Sequence, residues 1–296
     1  VVGDTVELLL GGNPLGTPVT KVLDSTDVDT NGYVDLTVTD TDLGSDGSKV
    51  FTARVTDAVG NVGAAGGSLT VTLDTTAPTA TVTSTTADGS FKEDDTINIT
   101  VTFTEAVTLG GTSPTLSARL ETGDTDRDVA LSTSDGGTTW TGTYTVQSGD
   151  TSSDLTVSTL VLGGTSPTLR DAAGNDATLT IANGSNLADS EAFVIDTTAP
   201  SAPTNAIDLA TASDTGGVTN DDKTSDTAPT LRVYLSGTNA VSGDTVELLL
   251  GGNPLANAVE VELDSTDITN GYVDLTVTDG DLGSDGSKVF TARVTD

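Results

Sequence analysis

The chain repeats itself, and a repeat constrains a fold more tightly than composition does, because every unit must solve the same packing problem. Residues 3–15 return unchanged as 243–255, an offset of 240. Residues 40–57 return as 279–296 at an offset of 239, with Thr41 against Gly280 as the one change. The residue lost between the copies lies in the turn at 27–32, which becomes 267–271. Turns tolerate such slips, whereas a one-residue slip in a strand turns every side chain to the wrong face. A shorter echo sits inside this period. Asp74-Thr-Thr-Ala-Pro78 recurs as Asp196-Thr-Thr-Ala-Pro200, and each is preceded by Asp-Ala-x-Gly-Asn, at Asp57 to Asn61 and Asp171 to Asn175. Two module types of roughly 120 residues therefore alternate. Residues 1–76 read as the later part of one module, 77–198 as a complete module of a second type, and 199–296 as a copy of the first that lacks its last strand. The first part has no counterpart of about 201–240, which should hold two strands. The expectation is a window from a longer tandem array.

The hydrophobic period is two. In Thr96-Ile-Asn-Ile-Thr-Val-Thr-Phe103 and in Val34-Asp-Leu-Thr-Val38 apolar residues alternate with polar ones, as they do around Trp140, Tyr144 and Val146. Such segments read as half-buried antiparallel strands, and Asn-Gly, Asp-Gly and Gly-Gly pairs punctuate them. No segment carries a helical stripe. The predicted fold is all-β: tandem Ig-like antiparallel β-sandwich modules set end to end, without the Cys-Trp-Cys core of antibody domains. Trp140, the single Trp, is expected in a core. Asp27-x-Asp-x-Asn31-Gly32 copies the first half of a calcium-binding loop, but Val38 stands where a bidentate Glu is needed, so a polar hairpin turn is the better reading.

Charge narrows function. The 296 residues carry 44 acids against 11 bases, a net charge of -33, with no His, Cys or Met. Ser-His-Asp triads, thiol nucleophiles, ordinary zinc sites and disulfides are excluded. A carboxylate pair at glycosidase spacing means little among so many acids, and the aromatic platforms of a sugar cleft are absent, so no enzyme is predicted. Nucleic acid phosphates and anionic membranes are repelled. No apolar run approaches the length of a membrane span, and the first residues lack a signal-peptide pattern, so a soluble chain is expected. Carboxylates in this number attract hard cations, above all Ca2+.

The interdomain Asp-Thr-Thr-Ala-Pro, the hairpin Asp-Ala-x-Gly-Asn, Gly-Asp-Thr-Val-Glu-Leu in one module type and Phe-Lys-Glu-Asp-Asp-Thr-Ile in the other resemble bacterial Ig-like tandem repeats. Repeats of that kind form the extender regions of giant RTX, biofilm-associated adhesins. The resemblance implies type I secretion, an extracellular place on the bacterial cell surface, Ca2+ that stiffens module junctions, and ligand binding by other domains of the same protein. It implies that the partners of each module are its neighbours in the chain.

If the last hairpin and the exit of one module face an early loop of the next, acids converge at each junction. The first junction would then be formed by Asp57, Asn61, Asp74, Glu93, Asp94 and Asp95, and the second by Asp171, Asn175, Asp196, Asp221 and Asp222, with Asp88 and Asp214 as extensions. Asp-x-x-Gly-Asn also has a plain turn role, since Asp bonds its own backbone and Gly and Asn tolerate positive φ. Acid pairs brought together without a cation would repel. The function expected is a calcium-stiffened spacer that projects a distal binding domain for adhesion and biofilm formation. The alternatives are a calcium-dependent, lectin-like module and the subunit of a filament joined by head-to-tail chain contacts.

Overall fold

A strand that alternates polar and apolar residues needs a hydrogen-bonded neighbour and a second layer over its apolar face. The computed structural model, which describes residues 1–296 except Thr219, supplies these unevenly along the chain. The architecture is all-β, as the alternation predicts, with two compact units, Val1–Thr197 and Thr198–Asp296. Among the described residues no helix is long and apolar enough to cross a membrane.

The complete module shows how the pattern is used. Ala80–Thr83, Thr96–Phe103, Thr139–Thr145, Arg127–Thr133, Thr108–Leu120 and Val157–Arg170 are neighbours in one six-stranded antiparallel sheet. Gly89–Phe91, Phe193–Asp196 and Thr151–Ser152 form a smaller sheet, whose first pair is parallel. Ile97, Ile99 and Val101 are fully buried while the intervening Thr and Asn residues face outward, and Phe193 and Leu160 join them in the core. Trp140 is buried in the same core, and its indole N–H donates to Gly137 O at 2.9 Å. Gly137 has φ +106, and a Cβ there would stand 2.1 Å from Val107 O. Gly137→Ala is therefore expected to destabilise this module by about 3 kcal/mol, strain and displacement combined. Urea unfolding monitored by Trp140 fluorescence checks it, and an unchanged midpoint would refute it.

The two copies of the other module type form a natural control. Residues 31–40 and 270–279 are identical in sequence. In Thr198–Asp296, Tyr272–Thr276 is a strand paired with Thr230–Tyr234, which pairs in turn with Asp208–Leu209. The stretch 201–240 thus holds two strands. A second sheet of Thr245–Leu250, Asn253–Pro254, Glu260–Glu262 and Phe290–Thr295 lies over them, and Leu231, Val233, Val246, Leu248, Val273 and Leu275 are buried together. In residues 1–76 the sheet of Thr5–Leu10, Asn13–Pro14, Thr20–Val22, Gly47–Thr56 and Leu69–Leu73 is present, but no strand corresponds to Thr230–Tyr234. The strand expected at Val34 to Val38 does not form there, and Tyr33 is 63% exposed. The reason is pairing: without a neighbour the backbone of an alternating segment has no ladder to join.

The turn at 27–32 also departs from expectation. Instead of a hairpin, Thr26–Asn31 is a wide helical turn in which Gly32 N–H reaches Asp27 O, five residues back, at 2.9 Å. In the shorter copy Ser265–Asn270 is an α-helical turn closed by Gly271 N–H on Asp267 O, four residues back, at 2.8 Å. The extra residue is absorbed by widening one turn. The Asp27 carboxylate is taken by Lys21 Nζ at 2.7 Å and by Asp24 N–H at 3.1 Å, which leaves no open calcium loop.

Candidate metal centre

Asp74 leaves the strand Leu69–Leu73 at the start of the link to the second module. The link is tied back to its own sheet by the Asp46 carboxylate, which accepts from Thr75 N–H at 3.0 Å, Thr75 Oγ1 at 2.8 Å and Thr76 Oγ1 at 2.7 Å. On the other side, Ala80 pairs with Phe103, and Thr104 N–H donates to Thr79 O at 2.9 Å. That pairing puts Glu105, two residues beyond the strand, beside the link. Arg170 pairs with Thr108, so Asp171 emerges at the same end of the module.

One carboxylate oxygen from each of Asp74, Glu105 and Asp171 lies within 4.8 Å of the others. Asp171 is buried and the other two are half-buried. The Asp171 hairpin is locked by its own turn chemistry, with Gly174 N–H at 2.7 Å and Asn175 N–H at 2.9 Å on Oδ1, and Asn175 Nδ2 at 2.8 Å on Oδ2. Asn175 Nδ2 also donates to Asp74 O at 3.2 Å, which fastens the hairpin to the link. Turn and junction roles therefore coincide in this motif.

Electrostatics distinguish the three acids. Burial, and then the charges of Asp74 and Asp171, push the Glu105 carboxyl above the ordinary Glu value. Burial also acts upward on Asp171, but the hydrogen bonds from Asn175 and Gly174 outweigh it and hold this carboxyl below the usual Asp value. Three carboxylates held this close, one of them with its pKa raised by burial and by the other two, form an all-oxygen donor set that favours positive charge. Hard oxygen donors of this kind fit Ca2+ or Mg2+ and not a soft metal.

The other residues expected at junctions are placed elsewhere. Asp57 and Asn61 form a hairpin like that of Asp171, with Asn61 N–H and Nδ2 both 2.7 Å from the Asp57 carboxylate. Thr56 pairs with Thr5 while Gly47 pairs with Leu73, so the ten-residue strand Gly47–Thr56 separates Asp57 from Asp74. That is about 30 Å. Glu93, Asp94 and Asp95 precede Thr96–Phe103, at the end remote from Glu105, and Asp94 N–H and Asp95 O are bonded to Val146 at 3.0 and 2.9 Å. They share that end with Asp196, because Ile195 pairs with Phe91. Asp88 caps a neighbouring loop by accepting from Ala192 N–H at 2.9 Å.

Asp171 and Asn175 were expected with Asp196, but the fourteen-residue strand Val157–Arg170 and its return lie between them, and both residues meet Asp74 instead. The grouping fails for one geometric reason. After Asp57 to Asn61 the chain returns along Gly47–Thr56 to Leu73, and after Asp171 to Asn175 it passes through irregular backbone and the turn Leu187–Asp189 into Phe193–Asp196 of the smaller sheet, so hairpin and exit occupy opposite ends in each case. In the Thr198–Asp296 unit, Asp221 is paired with Lys223 Nζ at 2.9 Å, Asp222 has φ +56, and Asp214 is buried, 5% exposed.

Glu105 and Asp46 were missed. The signal for Glu105 is its position two residues past the alternating strand that pairs with the incoming link.

By sequence no known family matches the chain, and neither does any curated protein. Among solved structures, the FN1–FN3 domains of chicken CNTN1 align over 99% of this chain and 83% of that one, at 10% identity and a TM-score of 0.29. A tetra-tandem repeat in the extending region of a large adhesion protein aligns over 99% of this chain and 66% of that one, at 17% identity and a TM-score of 0.28. Neither superposition is close enough to carry a function.

Proposed function

We propose that this chain is a non-enzymatic spacer of an extracellular bacterial adhesin, in which Ca2+ clamps the passage between consecutive modules. The observation that carries the reading is the convergence of Asp74, from the link, with Glu105 and Asp171, from two loops of the following module. A cation there cross-links three chain segments that are otherwise joined through the Asn175 to Asp74 hydrogen bond and a few backbone contacts. Near-identical modules repeated at a fixed interval suit spacing better than recognition, and the sequence resemblance to adhesin extender repeats adds type I export and a role in biofilm. A net charge of -33 keeps such an array soluble and self-repelling.

Calcium titration by calorimetry, with thermal unfolding in calcium and in chelator, tests the metal. A ligand that binds only the folded state stabilises it by about 2.7 kcal/mol at one hundred times Kd. A melting curve indifferent to millimolar calcium would remove the clamp from the proposal.

Proton competition gives a second check. Without metal, Glu105 has a folded-state pKa above its unfolded value. Its contribution to stability is present below the unfolded value, about 4.3, and is lost as pH rises through the folded pKa. Calcium requires the ionised form, so affinity is expected to fall as pH is lowered through that raised pKa, at higher pH than for ordinary carboxylates. Calorimetry across the acid range reads this directly. An affinity that stays flat until about pH 4 would sink the assignment of Glu105 as a ligand.

A further inference from the structure

We propose that Asn183 is a site of spontaneous covalent modification, at which the Asn183-Gly184 step closes to a succinimide and reopens as aspartate or isoaspartate, while the fold protects the other Asn-Gly steps. The chain has three such steps, Asn31-Gly32, Asn183-Gly184 and Asn270-Gly271. Without a Cβ, glycine leaves its backbone nitrogen unhindered, so the three are alike in an unfolded chain. The glycine nitrogen gives up its proton and bonds to the Asn Cγ. The Cγ–Nδ2 bond breaks, and the side-chain nitrogen takes up a proton and leaves as ammonia. Water then opens the ring at either carbonyl, which yields Asp, or isoaspartate with the backbone running through the side-chain carbon.

Hydrogen bonding separates the three sites. Asn31 and Asn270 end the turns Thr26–Asn31 and Ser265–Asn270, and the nitrogen that would attack is the donor that closes each turn. Gly32 N–H reaches Asp27 O at 2.9 Å, and Gly271 N–H reaches Asp267 O at 2.8 Å. Attack there requires that bond to break and the turn to unwind. Asn183 and Gly184 instead take the central positions of a β-turn in which Ser185 N–H donates to Ala182 O at 3.1 Å and Gly184 has φ +82. Gly184 N–H and the Asn183 side chain have no hydrogen-bond partner among the described residues, and both residues are exposed. The chain on the far side of the turn is fastened. Ser185 O accepts from Val82 N–H at 2.8 Å, and the Asn186 side chain bonds the N–H and the O of Val157 at 2.9 and 2.8 Å. The reactive step is thus the open tip of an anchored loop. Each conversion adds a negative charge, and isoaspartate adds a backbone carbon, next to the bond that holds this loop to the strand Ala80–Thr83.

The test incubates the full chain in mildly alkaline buffer, folded and in urea, and follows the mass gain of deamidation at each site by peptide mapping. Peptides spanning Asn31 and Asn270 are told apart by Val28 and Ile268. In the folded chain Asn183 is expected to convert at least about fivefold faster than Asn31 or Asn270, the factor carried by one ordinary hydrogen bond, and in urea the three rates are expected to converge. Conversion at Asn183 no faster than at the other two in the folded chain would overturn the proposal. So would a ranking that persists in urea, because local sequence and not the fold would then set it. Asn183→Gln is expected to remove the fast phase of ammonia release, and a fast phase that survives would place the reactive Asn elsewhere.

Discussion

Asp171→Asn is expected to abolish the calcium response of the Val1–Thr197 unit and to leave its fold intact. The substitution keeps an acceptor for the Gly174 and Asn175 N–H groups that build the hairpin, and it removes one of three charges from the cluster with Asp74 and Glu105. Affinity of an oxygen site for Ca2+ is set by the number of charged ligands and by site rigidity, so a loss of roughly a hundredfold is anticipated. In chelator the variant is expected to melt somewhat lower than the parent, since the fold favours the ionised Asp171 and the amide loses the acceptor for Asn175 Nδ2. In calcium it should lack the stabilisation expected of the parent. Calorimetric titration and paired melting curves measure both arms. Undiminished calcium binding by this variant would place the ligands elsewhere among the acids. Asp57→Asn serves as the control: it sits in an equivalent hairpin at the far end of its sheet and should leave calcium binding at the link unchanged.

Asp150→Ala is expected to cost the complete module about 3–5 kcal/mol, because it breaks a buried charge network from its centre. Asp150 is 1% exposed and accepts from Arg127 Nε at 2.8 Å, from Tyr144 Oη at 2.6 Å and from Gln147 N–H at 3.0 Å. Truncation would leave a part-exposed guanidinium and a buried phenol without their acceptor. Burial acts to raise the Asp150 carboxyl, but these donors outweigh it and the folded-state pKa is lowered. The sign follows: stability from this group is present above the unfolded value, about 3.9, and is lost as pH falls through the folded pKa. The parent should therefore lose stability on acidification in a step that the variant lacks. Chemical unfolding at neutral and acid pH, read at Trp140, checks both statements. A loss under about 1 kcal/mol at neutral pH would show that the network contributes little.

Much of the fold was legible. Strict alternation from Thr96 to Phe103 becomes a strand with its apolar residues fully buried, and Trp140 takes the core place expected of it. The repeat located the links, and the acids of the link and of the Asp-Ala-x-Gly-Asn hairpins were singled out because carboxylates at turns and boundaries are where cations are held. Asp74 was grouped with Asp57 and Asn61, and Asp171 and Asn175 with Asp196, whereas in the fold Asp74 meets Asp171 and Asn175. Glu105 was not singled out, because nothing in the local sequence distinguishes an acid two residues past a strand from the many exposed ones.

The sequence by itself determined the period, the strand-forming alternation, the turns and the chemistry available, because these depend on residue type and near neighbours. It did not determine which ends of the sheets face each other or whether a segment finds a partner. Tyr33 to Val38 and Tyr272 to Val277 are identical, yet only the second holds a strand, since β structure is completed by a neighbour that lies far along the chain or is not there. Likewise Asp171 joins Asp74 rather than Asp196 because the chain beyond Asn175 crosses to the smaller sheet, whose strand Phe193–Asp196 ends beside Thr151, away from the Thr108 end where Asp171 emerges. A hairpin and the exit that follows it, adjacent in sequence, are thereby held a full strand length apart.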